Sequence, residues 1–101
     1  MAPQPLNETQ IGEVLSGLPG WAFGDDRLVR EYTLDSHLAA VAMLVHIATI
    51  QEQMDHHANL TVTYNQLGVA VNTHSVGGRV TELDTQLATR VEEIAAGHGA
   101  R

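Results

Sequence analysis

Three imidazoles stand where a chain can bring them together. His56 and His57 close the segment Glu52-Gln-Met-Asp55-His56-His57, and His74 lies in Thr73-His74-Ser75-Val-Gly77-Gly78. The first two are expected at the end of a helix and His74 at the end of a strand. Such ends are natural pocket rims, because side chains there converge without filling the core. Imidazole changes charge near neutrality and suits proton transfer to and from a substrate. Two other readings stay open. Three histidines with an open position could hold zinc, although adjacent residues on a helix sit about 100° apart, unlike the i, i+4 pair of an HExxH site. Histidines favoured at a helix end by its dipole would need no function at all.

The neighbours of these histidines widen the candidate site. Asp55 could orient an imidazole or be merely exposed. Glu52 lies one turn before His56 and can share its face. Thr73 and Ser75 flank His74 and offer hydroxyls to a ligand. Asp84 reads first as a helix cap and second as a site group. Trp21 and Phe23 are core candidates that could also wall a flat heterocycle. His46, inside a long apolar helix, is expected to be packed or at an interface, His37 to face solvent, and His98 to lie in a loose tail. GxGxxG, P-loop and GxSxG patterns are all absent.

The elements that must position these residues are legible in outline. Asn7 and Gln10 form a capping box, with Leu6 and Ile11 in the staple positions. Ile11, Val14, Leu15 and Leu18 make the stripe of a first helix, which Pro19-Gly20 ends. Trp21–Phe23 and Leu28–Thr33 read as a hairpin about Gly24-Asp25-Asp26. A second helix is expected from Asp35 to about His56. Its stripe of Met43, Ile47, Ile50 and Met54 has a neighbour in Leu38, Val41, Val45 and Ala48, an arc wide enough to be buried on two sides. Leu60–Tyr64 and Val69–His74 read as a second hairpin linked by Asn65–Gly68. Thr81 and Asp84 cap a last helix with the stripe Leu83, Leu87, Val91 and Ile94. The order α-β-β-α-β-β-α predicts an α+β two-layer fold, a four-stranded antiparallel sheet with three helices on one face. The whole, residues 1–101, is expected to be one domain with a frayed tail at 97–101.

Composition narrows the partners. The formal charge is −7, and the cations are five arginines without a lysine. Polyanions need several clustered cations to displace their counterions, so neither nucleic acid nor an anionic membrane is an expected partner. The absence of cysteine excludes disulfides, thiolate catalysis and Cys-ligated metals. The apolar run AAVAMLVHIATI is too short to span a bilayer, and no leader is visible in MAPQPLNETQ. A cytoplasmic location is expected.

With these residues in view, the chain resembles the pterin-4a-carbinolamine dehydratase family over roughly residues 6 to 95. The resemblance lies in Leu-Pro-Gly-Trp21, Leu28-Val-Arg30-Glu-Tyr32, Glu52-x-x-x-His56-His57, the Tyr64 strand, Thr73-His74-x-x-Gly77-Gly78 and Thr81-x-x-Asp84. It implies dehydration of 4a-hydroxytetrahydropterin to quinonoid dihydropterin, in recycling of the cofactor used by aromatic amino acid hydroxylases. It makes His56, His57 and His74 the catalytic residues, with His56 and His74 as the acid/base pair and His57 orienting the pterin. Asp84 would match the family's aspartate near the site. From their places beside the histidines, Asp55, Thr73 and Ser75 are expected with His57 and Asp84 as substrate contacts. No metal and no cofactor is implied, the pterin being the substrate. A homodimer formed by strand pairing, or a homotetramer, is implied as well. The alternative is a non-catalytic scaffold or regulatory protein of the same fold. One departure stands out: Ala58 and Asn59 replace the proline and acidic residue usual after the two histidines, which loosens the exit from the helix.

Overall fold

The computed structural model describes residues 3–101. Two tight turns set its sheet. Asp25 and Asp26 both take left-handed φ angles, 52° and 57°, the backbone of a type I′ turn whose twist matches paired strands. They join β1 (Ala22–Gly24) to β2 (Arg27–Thr33). The second hairpin turns on Tyr64-Asn65, between β3 (Asn59–Thr63) and β4 (Gln66–Val71). The expected link Asn65–Gly68 is therefore too long, and Tyr64 belongs to the turn rather than the strand. Leu67 is the physical reason: wholly buried opposite Val62, it draws its segment into the sheet. Gly68 is then used for its missing side chain, since a Cβ there would stand 2.6 Å from Thr61 Oγ1.

β2 pairs antiparallel with β4, Leu28 opposite Val71 and Tyr32 opposite Leu67, which gives the order β1-β2-β4-β3. Alternation sends Leu28, Tyr32, Leu67, Val69 and Val71 to one face, where all are buried. Each apolar side chain so covered contributes roughly 1.5–3 kcal/mol relative to exposure. The helices pack on this face, as the α+β two-layer reading requires, and leave the other open.

α1 (Glu8–Ser16) starts at the expected capping box, with Asn7 and Gln10 each accepting the other's backbone N–H at 2.9 Å. α2 (His37–Met54) starts from Ser36 and buries Ala40, Met43, Ile47 and Ile50. Its second stripe stays uncovered on the single chain, with Leu38 76% and Val45 58% exposed. α3 (Glu82–Ala95) starts from the Thr81–Asp84 box and buries Leu87 and Val91. Beneath it Tyr32 donates its hydroxyl to Glu92 Oε1 at 2.6 Å, and Trp21 Nε1–H lies 3.2 Å from both oxygens. Burial first, and then Glu92, pushes the Tyr32 phenol upward.

Residues 97–101, expected to fray, are held. Ala96–His98 form a 3-10 turn, and Thr33 and Arg101 exchange backbone hydrogen bonds of 2.8 and 3.0 Å. His46 is exposed rather than packed, and its Nδ1 lies 2.8 Å from His98 Nε2. His37 faces solvent and donates from Nδ1 to the Tyr64 carbonyl at 2.6 Å.

Candidate active site

The site begins where α2 stops. Asp55 takes the left-handed conformation, φ 51° and ψ 43°, and its N–H still reaches back to the carbonyls of Gln51 and Glu52. A left-handed residue cannot continue a right-handed helix. The helix therefore ends at Met54, not near His56, and the 100° spacing of helical neighbours does not apply to the two histidines. His56 turns inward and is 9% exposed, whereas His57 faces out. Glu52 consequently meets His57, not His56, with Oε2 2.9 Å from Nε2.

The partner of His56 comes from the start of α3. Asp84 is wholly buried, and its Oδ1 lies 2.6 Å from His56 Nε2. Its Oδ2 accepts the Thr73 hydroxyl at 2.7 Å and the Thr81 N–H at 2.8 Å. Thr73 Oγ1 lies 2.8 Å from Thr81 Oγ1. With Thr73's one proton spent on Asp84, Thr81 is the donor in that pair. An ionised carboxylate only accepts, so Nε2 of His56 carries the proton facing Asp84 and Nδ1 is the nitrogen left for a ligand. The position of Asp84 in the first turn of α3 suits its negative charge, because the free N–H groups there point toward it.

His74 is placed by a reversal. β4 ends at Val71, short of the expected His74, and His74 opens the 3-10 turn His74–Val76. Gly77 and Gly78, at φ 72° and 76°, turn the chain so that Thr73 can bridge to Arg79. Both angles lie where glycine is free of Cβ strain. The His74 ring is exposed and has no side-chain hydrogen bond among the described residues.

The result is a cavity of about 290 Å3 that brings together Asp55, His56, His57, Thr73, His74 and Ser75. Asn72 and Leu83 complete its wall. The expected alternation of Ala70, Asn72 and His74 was a signal that would have found Asn72, although β4 ends at Val71, before both. Leu83 is hidden in sequence because it reads as core. Asp84 stands behind His56 and does not line the cavity, and neither do Trp21 and Phe23. Thr73 lines it but is 3% exposed, with its hydroxyl engaged inward. No three histidine, aspartate or glutamate side chains among the described residues converge as a metal would require. No helix among them is long and apolar enough to cross a membrane. The arrangement offers one anchored imidazole, two exposed ones and a buried carboxylate behind the first, a set suited to moving protons on a small polar ring.

The model of the family described as pterin 4 alpha carbinolamine dehydratase matches residues 4–94. The chain belongs to this family. A Streptomyces avermitilis protein assigned to the same dehydratase is 55% identical over 100 residues, covering 99% of both chains. Its Streptomyces coelicolor counterpart is 53% identical over the same length and coverage. Among solved structures, a transcriptional coactivator/pterin dehydratase from Brucella melitensis superposes with a TM-score of 0.86 at 31% identity, covering 91% of this chain and 99% of that one. A pterin dehydratase-like RuBisCO assembly factor of the alpha-carboxysome has a TM-score of 0.62 at 20% identity, covering 75% of this chain and 89% of its own, a likeness of fold alone. The pterin dehydratase family thus accounts for the fold and for the run of the chain that carries the three histidines.

Proposed function

We propose that this protein dehydrates 4a-hydroxytetrahydropterin to quinonoid dihydropterin, as a hydro-lyase in pterin cofactor recycling. The observation that carries the reading is the buried His56–Asp84 pair at the wall of a cavity that His57 and His74 also line. In the reaction the C4a–O bond breaks, the N5–H proton leaves, and a C4a=N5 double bond forms with release of water. The hydroxyl is a poor leaving group and needs a proton as it departs, while N5–H needs a base. His56, through Nδ1, and His74 divide these two roles. Asp84 fixes the His56 ring and compensates the charge the ring carries while it holds a second proton. His57, steadied by Glu52, orients the pterin, and Asp55 and Ser75 supply polar groups at the rim. Thr73 and Asp84, first read as substrate contacts, act through His56 instead.

The site works in a homo-oligomer on this reading. β3 is the longer of the two sheet edges and carries neither lysine nor proline to block pairing. The uncovered stripe of α2 provides a second contact between copies. A cytoplasmic setting fits the cysteine-free chain.

The test is turnover of the 4a-hydroxy adduct generated in place. Wild type should exceed the spontaneous rate, and His56→Ala and His74→Ala should each lose about 10²–10⁴-fold, the usual range for one acid or base. A folded wild type with no turnover above the spontaneous rate would refute the enzyme reading and point to a protein partner.

A further inference from the structure

A second cavity lies along α3, beside the histidine pocket in the run of the chain. It measures about 500 Å3 and is lined by Val14, Met54, Thr85, Gln86, Thr89 and Arg90. Two features set it next to the first. Met54 in one wall is followed directly by Asp55 and His56 in the other. Leu83 of the histidine pocket also shares a helix face with Gln86 and Arg90, at i, i+3 and i+7. From Leu83 to Arg90 the helix rises roughly 10 Å.

The groove has an apolar body and a cation at its far end. Val14, Met54 and the threonine methyls supply the body. Arg90 is half-buried, and its guanidinium donates to the neutral side chain of Gln53 at 2.9 Å. No carboxylate among the described residues lies within ion-pair distance of it. A guanidinium has five N–H donors in a planar fork that matches a carboxylate or phosphate. In a chain of net charge −7, an anionic ligand needs such a local cation to be held.

We propose that this groove receives the C6 substituent of the pterin, and that the preferred substrate carries a long arm there with an apolar body and an anionic end. The inference rests on a pterin ring occupying the histidine pocket. It follows from the ring's own chemistry: C6 is bonded to N5, so the arm leaves from the edge that faces the histidines. The small pocket holds the bicycle, the groove holds the body of the arm, and Arg90 holds its charge.

Equilibrium binding of three stable 7,8-dihydropterins tests this in the full chain. Dihydrobiopterin has a short neutral arm, dihydrofolate a long arm ending in carboxylates, and dihydroneopterin triphosphate an arm ending in phosphates. At least one long anionic arm should bind about tenfold tighter than dihydrobiopterin, the scale of one charge-assisted hydrogen bond, and which one does so identifies the anion. In Arg90→Gln that ratio should fall to near one, and Arg90→Lys should keep most of it. Equal affinity for all three, or a preference that Arg90→Gln leaves intact, overturns the groove's role while the pterin reading stands. Failure of all three to bind overturns both.

Discussion

The two oxygens of Asp84 serve different neighbours. One holds His56, and the other gathers the Thr73 hydroxyl and the Thr81 N–H. On the proposed mechanism Thr73 acts through His56. Thr73→Val leaves the carboxylate short of a buried donor, so stability should fall by about 1–3 kcal/mol and kcat/KM by roughly tenfold through a looser His56. Thr73→Ser should restore both, read by urea melts and steady-state kinetics. Tyr32 makes a separate prediction. Its phenol is raised above the ordinary 10.0 by burial and by Glu92. The folded state thus keeps a proton that the unfolded chain loses above pH 10, so the stabilisation is complete below that pH and declines as pH rises beyond it. Tyr32→Phe should flatten this alkaline decline in pH-dependent melts. Much of the site was legible at this scale, because histidine chemistry and the Thr81–Asp84 box are local signals. The partner of His56 was not. Asp84 lies 28 residues away, and a capping residue gives no local sign that its second oxygen serves another element.

The exit of α2 shows what an element decides. Asp55 holds a left-handed φ of 51°, which costs a side-chain-bearing residue more than it costs glycine. Asp55→Gly should raise stability by about 0.5–1 kcal/mol, and Asp55→Ala should lower it by about 1 kcal/mol, in thermal melts. The starts of α1 and α3 were readable, since Asn7–Gln10 and Thr81–Asp84 announce themselves through side chains that satisfy free N–H groups, while α2, expected from Asp35, starts at His37 from a Ser36 cap. Ends were less readable. Nothing in Gln-Met-Asp-His-His marks the residue at which the backbone reverses. His74 likewise continues a plausible alternation, yet the turn at Gly77-Gly78 ends the ladder earlier. Leu67 shows the same limit in the hairpin, where tertiary burial overrides the turn preference of its neighbours.

At the scale of the molecule, the outer stripe of α2 asks for a cover. Leu38 and Val45 are the chief apolar groups there, 76% and 58% exposed on the single chain. A Leu38→Glu/Val45→Glu double variant should retain its melting behaviour and shift to a smaller assembly in light scattering, if copies of the chain meet on this face. The wide apolar arc of α2 was visible in sequence, but which half of it meets the sheet was not, since both halves are apolar. The His56–Asp84 bond ties the segment leaving α2 to the first turn of α3, and this bears on how such a chain can change over generations. Selection for folding alone would preserve Asp84, Thr73 and Thr81, because they secure the beginning of α3 whether or not anything is turned over. His57 and His74 have no such second duty and would drift once activity ceased to matter. In a descendant that had abandoned the reaction, the aspartate would survive as a relic, and only the exposed imidazoles would record whether chemistry was still under selection.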